Sequence, residues 1–166
     1  IEFTLVHTEY AGHAINLVEN CNFNEYTSVC AVGGDGTLNE VLNGMLTRGD
    51  HRKVPIGLVP GGTGNSFMKT LDLLEPVDAI LRLIKNKPRA IDVMKINSFE
   101  GVYYALNLVG WGMATDISIV AEKLRFFGEQ RYNIASVIEI IRNKKRPATL
   151  IIDDIETTND FCFIIA

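Results

Sequence analysis

The residues best suited to chemistry stand in one glycine-rich turn, Gly33-Gly34-Asp35-Gly36-Thr37, between an apolar run and an amphipathic one. Glycines let backbone N–H groups approach phosphate oxygens, and a helix beginning there adds the partial positive charge of its N-terminus. An anion is the natural occupant, and Asp35 could accept a proton beside it. The alternative is a tight strand-to-helix turn with Asp35 as a cap, which is the default interpretation of a lone Gly-Asp-Gly.

A second glycine turn, Pro60-Gly61-Gly62-Thr63-Gly64-Asn65, also follows an apolar run and precedes a short helical one. The carboxyl ends of parallel strands meet at one edge of a sheet, so both turns could line one crevice and share a polyphosphate. The chain has neither a G-x-x-x-x-G-K-[ST] loop nor a G-x-G-x-x-G sequence. A P-loop ATPase and a dinucleotide dehydrogenase of the usual kind are therefore disfavoured.

Strands and helices in alternation would position these turns. Residues 1–6, 28–32 and 54–59 are apolar runs typical of strands. Apolar residues at helical spacing predict three amphipathic helices, striped by Ala11, Ala14, Ile15 and Val18, by Leu38, Val41, Leu42 and Met45, and by Val77, Ile80, Leu81 and Ile84. This alternation predicts a three-layer α/β domain over residues 1–90, with a parallel sheet covered by helices.

The pattern changes near residue 90. Residues 91–96 and 102–109 read as strands joined by a turn at 97–101, which predicts an antiparallel hairpin. One helix follows, and its apolar face is formed by Ile134, Val137, Ile138 and Ile141. Basic residues 142–146 and Pro147 end this helix. Residues 148–153 and 161–166 predict two more strands. We therefore predict the beginning of a mainly antiparallel β domain over residues 91–166, truncated at its end, with a boundary at 88–92.

Composition narrows the class of protein. Sixteen basic and twenty acidic residues give a net charge of -4, which argues against broad nucleic-acid binding. Three cysteines without a C-x-x-C spacing predict a reduced, cytoplasmic location and no structural zinc. No apolar run reaches the roughly 20 residues of a spanning helix, so any membrane contact would be peripheral. Because the chain starts with Ile1 inside a strand-like run, we expect a fragment.

Together these motifs resemble the nucleotide-binding motif pair of the diacylglycerol kinase catalytic domain. The first turn is followed by Asn39-Glu40-Val41 and Asn43-Gly44, and the second leads into Ser66-Phe67. NAD kinases and phosphofructokinases resemble the first motif, whereas the second fits the lipid kinases better. Thr8-Glu9 with His13-Ala14 resembles the family's ATP-contacting segment. A later series is most similar to sphingosine and ceramide kinases: Gly110-Trp111-Gly112, Asp116, Glu122-Lys123, Arg125, Gly128 and Arg131-Tyr132.

The resemblance implies a two-domain fold in which ATP and lipid meet between the domains. Asp35 would be the catalytic base, and Arg125 and Arg131 would reach the phosphates. The nucleotide site would contain Thr8, Gly33, Gly34, Gly36, Thr37, Glu40, Gly61, Gly62 and Thr63. Mg²⁺ would accompany ATP, although the sequence identifies no metal ligand.

Two departures from the family concern its first strand and its acceptor site. The first strand, with its Asn-Pro and glycine-rich turn, is absent, as is the later Gly-Asp-Gly-Glu region, so the fragment could be inactive alone. Ser118 stands where the closest sphingosine kinases place the acid that contacts the sphingoid amine, and Asp116 is retained two residues earlier. If this stretch is a strand, both side chains share one face, and Asp116 could substitute at the lipid site.

We therefore predict an ATP-dependent lipid kinase that transfers the γ-phosphate of Mg-ATP to a primary hydroxyl. A sphingoid base is the favoured acceptor, with ceramide or diacylglycerol as the others. Two rival hypotheses are a NAD kinase-like phosphotransferase and a nucleotide- or lipid-binding module without catalysis. Basic residues 142–146 could meet anionic headgroups, but the dipole at a helix C-terminus also favours cations.

Overall fold

The computed structural model describes residues 2–62, 65–85 and 87–166 and divides into two compact units, Ile1–Asn107 and Leu108–Ala166. The described strands form four two-stranded sheets among helices, which makes the fold mixed α/β. The predicted three-layer domain, the β domain and their boundary at 88–92 concern the whole kinase fold and stay predictions. No helix in the described part of the chain combines the length and apolar character that crossing a membrane requires.

The first unit alternates strands and helices, as the sequence predicts. Its elements are α1 (His13–Asn20), β1 (Val29–Gly33), α2 (Asp35–Thr47), β2 (Ile56–Pro60), α3 (Ser66–Thr70), α4 (Pro76–Lys85), β3 (Met94–Ser98) and β4 (Gly101–Ala105). Strands β1 and β2 pair in parallel, from Val29 opposite Ile56 to Gly33 opposite Pro60. Strands β3 and β4 form the predicted antiparallel hairpin.

The core of the first unit lies between α1, α2 and the parallel strand pair. Buried residues include Ala14 and Val18 of α1, and the whole predicted stripe of α2, namely Leu38, Val41, Leu42 and Met45. Ala31 of β1 and Leu58 of β2 join the same cluster. The helical periodicity therefore identified the packed face of α2 correctly. For α1 it was correct at Ala14 and Val18, whereas Ala11 of the predicted stripe is exposed and precedes the helix.

One prediction about the first unit is wrong, and another is correct for the helix but not for its packed face. Residues 2–6 form no strand, and Phe3 is 82% exposed, because no described strand pairs with them to complete their backbone hydrogen bonds. Helix α4 forms as predicted, but its apolar stripe is exposed, and the helix packs through Ala79 and Leu83 instead. Periodicity shows which face of a helix is apolar, but only tertiary structure decides whether a neighbour covers it.

A buried arginine closes the end of the α1–α2 pair. Arg48 is 5% exposed and forms an ion pair with Asp50 at 2.6 Å. Its guanidinium also donates to the carbonyl oxygens of Val18 and Glu19 at the C-terminus of α1. It lies over the ring of Phe23, 4.7 Å from the centroid. Arg48 thus gives the carbonyl oxygens at the end of α1 a side-chain donor, in addition to the backbone N–H of Cys21 that donates to Val18.

The second unit is built from two helices and two strand pairs. Its elements are β5 (Gly110–Gly112), α5 (Met113–Lys123), a 3₁₀ segment (Arg125–Gln130), α6 (Arg131–Arg142), β6 (Arg146–Ile152), β7 (Ile155–Phe161) and β8 (Phe163–Ile165). Strands β6 and β7 form an antiparallel hairpin, and β5 pairs with β8 in antiparallel fashion.

The sequence predicted this unit less well. It missed α5 and also β7, whose residues are almost all exposed and lack apolar alternation. The turn before β7 has positive φ at Asp153 and Asp154, 47° and 69°, which suits a two-residue hairpin turn. Helix α6 forms, but its buried residues are Ala135 and Glu139, while Val137 and Ile141 of the predicted face are exposed.

Candidate functional site

The two glycine turns lie side by side at the carboxyl ends of β1 and β2. The N–H of Gly61 donates to the carbonyl oxygen of Gly33 at 2.9 Å, which extends the pairing of the strands into the turns. A Cβ atom on Gly62 would lie 2.6 Å from the Cα of Gly34. Position 62 therefore requires glycine because the two backbones approach so closely, and the turns form one continuous surface of main chain.

Asp35 connects the two turns. It is the first residue of α2, and its carboxylate accepts hydrogen bonds from the backbone N–H groups of Ser66 at 2.7 Å and Phe67 at 3.0 Å. These are the first N–H groups of α3, so Asp35 caps a helix that follows the other turn rather than its own helix. Each carboxylate oxygen keeps a further lone pair, which leaves Asp35 able to accept a proton.

The N-terminus of α2 is the anion site that this arrangement offers. Gly34 occupies the N-cap position and supplies no side-chain hydrogen bond, and Gly36 and Thr37 follow in the first turn. The N–H groups of a first helical turn have no intrahelical partners, and the helix dipole places partial positive charge beside them. A phosphate group fits such a site, with Asp35 at its edge.

Glu40 lies farther along α2 and holds the start of α1. Its Oε1 accepts from the N–H of Gly12 at 2.9 Å and its Oε2 from the N–H of Ala14 at 3.1 Å. Gly12, with φ 87°, is the N-cap of α1 and brings no side-chain cap of its own, so the carboxylate of Glu40 supplies one. The predicted contact of Glu40 with nucleotide stays a prediction, whereas its contacts in the structure are to backbone.

The segment before α1 contains Thr8, another predicted nucleotide residue. Thr8 is exposed, and next to it the N–H of Glu9 donates to Nδ1 of His13 at 3.0 Å. The rings of Tyr10 and His13 stack, with centroids 4.5 Å apart. Thr63, predicted in the second turn, lies outside the described residues, as does Gly64.

Sequence reasoning missed the role of Asn43. This side chain is buried on α2, and its amide accepts from the N–H of Tyr104 at 2.9 Å and donates to the carbonyl oxygen of the same residue at 2.9 Å. The reciprocal pair attaches the β3–β4 hairpin to the helix that begins at the first glycine turn. A lone amide within an apolar helical face was the available signal.

In the second unit, the two predicted phosphate-binding arginines meet at one carboxylate. Nε of Arg125 donates to Oε2 of Glu122 at 2.6 Å, and Nη1 of Arg131 lies 4.0 Å from Oε1. The guanidinium of Arg131 also stacks over the ring of Tyr132, 4.9 Å from its centroid. Glu122 thus brings the two cations together on one surface, and their contact with phosphates stays a prediction.

Asp116 and Ser118 do not share a face, contrary to the strand interpretation. Both lie on α5, where positions two apart differ by about 200° around the axis. Asp116 forms an ion pair with Arg146, whose Nη2 lies 3.0 Å from Oδ1 and 2.8 Å from Oδ2. The hydroxyl of Ser118 donates to the carbonyl oxygen of Ala114 at 3.1 Å. Asp116 is thus already neutralised by an arginine.

The described residues contain no group of three or more His, Cys, Asp or Glu side chains that could hold a metal ion. This donor set still fits Mg²⁺ that arrives with a nucleotide, because such Mg²⁺ takes most ligands from phosphates and water and needs only one or two carboxylates. We assign no described residue as its ligand, because Asp35, the carboxylate at the edge of the candidate phosphate site, is the predicted catalytic base.

Comparison with known proteins finds one family model and several relatives that match this chain. Residues 1–96 match the family model of the diacylglycerol kinase catalytic domain. Sphingosine kinase 1 of Arabidopsis thaliana is 35% identical over 151 residues, covering 85% of this chain and 31% of the relative. Sphingosine kinase 2 of Homo sapiens is 30% identical over 154 residues, covering 83% of this chain and 23% of the relative. The chain therefore spans less than a third of the length of either relative.

Solved structures give the same fold. A diacylglycerol kinase from Bacillus anthracis str. Sterne matches with a TM-score of 0.69 and 22% sequence identity. The match covers 96% of this chain and 50% of that one. At this identity the likeness supports the fold alone. As with the relatives above, the chain spans only part of the protein that it matches.

Proposed function

Because the chain belongs to the diacylglycerol kinase catalytic domain family, we propose that its protein is an ATP-dependent lipid kinase that phosphorylates a lipid hydroxyl. The observation that carries this proposal is the pair of stacked glycine turns joined by Asp35. Backbone N–H groups, a helix N-terminus and a carboxylate converge there, and these are the groups that phosphoryl transfer from a nucleotide requires.

In the proposed reaction the turns hold the donor phosphates through backbone N–H groups. The acceptor hydroxyl oxygen bonds to the γ-phosphorus, the bond from that phosphorus to the β–γ bridging oxygen breaks, and ADP leaves with the electron pair. Asp35 takes the hydroxyl proton. Its two hydrogen bonds from the start of α3 fix the carboxylate in one orientation. Bound Mg²⁺ supplies charge neutralisation on the phosphate oxygens.

The remaining predicted site residues take supporting roles in this proposal. In this proposal the phosphate site is lined by Thr8 and by residues of the two turns, namely Gly33, Gly34, Gly36, Thr37, Gly61 and Gly62. The predicted contact of Thr63 falls outside the described residues. Arg125 and Arg131 offset the charge that develops during transfer, and their shared partner Glu122 keeps the two guanidinium groups together. Asp116 and Ser118 belong to the helix that we assign to the acceptor, because this series carries the resemblance to sphingosine and ceramide kinases.

We also propose peripheral contact with membranes, since the acceptor is a lipid. Helix α6 exposes Val137, Ile140 and Ile141, and exposed Arg142 and Lys144 follow at its C-terminal end. Apolar side chains beside cations suit an interface that contains anionic lipids. A cytoplasmic location fits this proposal.

The test uses the full-length protein with labelled ATP, a panel of sphingosine, ceramide and diacylglycerol, and NAD⁺ without lipid. Transfer of label to a lipid supports the proposal. Transfer to NAD⁺ alone would identify a NAD kinase-like enzyme, and nucleotide binding without any transfer would identify an inactive binding module. Each outcome selects one of the three hypotheses.

Asp35→Asn examines the proposed base. We expect turnover to fall at least about 100-fold, the low end for a lost general base. Asparagine keeps one acceptor oxygen for α3, so nucleotide affinity should fall less than about 10-fold, in line with a partly lost cap. Asp78→Asn is the matched control, because Asp78 also lies in the first turn of a helix of this unit. Near-normal turnover in Asp35→Asn would remove Asp35 from catalysis.

A further inference from the structure

Every carboxylate on α5 is paired with arginine. The helix carries two acids, Asp116 and Glu122. Both oxygens of Asp116 contact Arg146, and the two side chains are only 23% and 25% exposed. Glu122 contacts Arg125 and Arg131. Whichever face of α5 meets the acceptor, that face offers no carboxylate with an uncompensated charge.

The surroundings of Asp116 carry an excess of positive charge. A cavity of about 430 Å³ is lined by Asp116, Ile119 and Val120 of α5 and by Glu139 of α6. Buried Glu139 is paired with Arg142 at 2.6 Å. Lys123 and Lys144 also line this cavity and have no carboxylate partner among the described residues. A cation entering the cavity would meet paired acids and unpaired lysines.

A sphingoid ammonium could form an ion pair with Asp116 only by displacing Arg146. The guanidinium is partly buried, and its Nη1 already lacks a hydrogen-bond partner within the described residues. Displacement would leave the guanidinium of Arg146 as a partly buried cation without a carboxylate partner. The free energy lost in this way exceeds the free energy gained when Asp116 exchanges one cation for another. Ser118 is no substitute, because its hydroxyl carries no charge and donates to its own helix.

We infer that the acceptor lipid carries no positive charge beside its hydroxyl, so that this kinase acts on neutral lipid alcohols of the ceramide or diacylglycerol class rather than on free sphingoid bases. The inference rests on the proposed lipid kinase function and on the assignment of α5 to the acceptor. The same excess of cations suits the product, because phosphorylation of a neutral alcohol creates an anion.

Two acceptors that differ in charge at one atom provide the test. Sphingosine and N-acetylsphingosine present the same primary hydroxyl, but acetylation removes the ammonium charge. With the full-length protein in uncharged detergent micelles at fixed salt, we expect kcat/KM for N-acetylsphingosine to exceed that for sphingosine by at least about tenfold, the effect of one modest charge interaction. Dioctanoylglycerol serves as a second neutral acceptor, and its kcat/KM should also exceed that for sphingosine.

Ser118→Asp and Ser118→Asn form a matched pair of variants. The aspartate adds an unpaired carboxylate to α5, whereas the asparagine adds the same bulk without charge. Arg146→Gln provides an independent arm, because it releases the charge of Asp116 on another face of the same helix. We expect the variant whose new charge lies on the face that meets the acceptor, Ser118→Asp or Arg146→Gln, to lower the preference for N-acetylsphingosine at least about tenfold, and Ser118→Asn to leave it unchanged.

Several outcomes would overturn the inference. Preference of the wild-type protein for sphingosine would contradict it while leaving the lipid kinase function intact. Equal shifts in Ser118→Asp and Ser118→Asn, with no shift in Arg146→Gln, would show that charge on α5 does not select the acceptor. Failure to phosphorylate any lipid would instead refute the proposed function on which the inference rests.

Discussion

Glu40 provides the sharpest contrast between the sequence motif and the structure. The resemblance assigns it to the nucleotide site, whereas its two oxygens contact the backbone N–H groups of Gly12 and Ala14 at 2.9 and 3.1 Å. We predict that Glu40 acts as a positioning residue, which holds the segment containing Thr8 beside α2. Glu40→Ala should therefore loosen this segment first and weaken ATP binding as a consequence.

The size of the effect follows from the lost cap. Glu40→Ala removes both acceptors and thus the side-chain cap at the N-terminus of α1, which is worth about 1–2 kcal/mol. If the start of α1 opens locally, this loss increases the open population about 5- to 30-fold. Glu40→Gln keeps one acceptor oxygen and should produce a smaller increase.

Hydrogen exchange of the amides of Gly12 and Ala14 measures this opening directly, and KM for ATP measures its consequence. Thr47→Val is the matched control. The Thr47 hydroxyl donates to Glu19 at 2.6 Å and so connects the same two helices at their other end. We expect faster exchange and a higher KM for ATP in Glu40→Ala, with neither change in Thr47→Val.

Two results would refute this reasoning. Unchanged exchange at Gly12 and Ala14 in Glu40→Ala would mean that the cap contributes little. A higher KM for ATP without faster exchange would mean that Glu40 contacts the nucleotide or its metal directly, as the motif alone suggests. In that second case the KM should also depend on Mg²⁺ concentration differently from wild type.

Two further predictions concern a turn and a charge. Gly62→Ala should weaken ATP binding measured by calorimetry, because the added Cβ would lie 2.6 Å from the Cα of Gly34 and push the two turns apart. Unchanged ATP affinity in a folded variant would show that the turn has a purely structural role. The hydrogen bond from Arg48, helped by a backbone N–H, lowers the pKa of Asp50 from 3.8 to about 2. Ionised Asp50 therefore stabilises the fold at higher pH, and this contribution is lost between about pH 4 and 2. Thermal unfolding of Asp50→Asn should depend less on pH than wild type in that window, and parallel profiles would contradict the assignment.

The sequence by itself identified the features that depend on neighbouring residues. The strands before the two glycine turns and the packed stripe of α2 are local patterns, and each was predicted correctly. Local signals suffice here because backbone freedom and apolar periodicity act over a few residues. The family resemblance rests on the same short motifs.

Hydrogen bonds between residues distant in sequence were decided only by tertiary structure. Asp35 meets α3 across 31 and 32 residues, Glu40 meets α1 across 26 and 28, and Asn43 meets β4 across 61. A carboxylate or amide in a motif suits chemistry and capping equally well, and the backbone N–H that packing brings to it determines which role it serves.

The segment around Asp116 shows the same limit most clearly. Its β-branched residues are compatible with a strand, yet residues 113–123 are helical and pack against α6. The helix separates Ser118 from Asp116, and the chain's return through β6 brings Arg146 to Asp116 across 30 residues. Whether an acid is free or paired depends on a distant cation, so the charge offered to an acceptor lipid is a property of the folded chain.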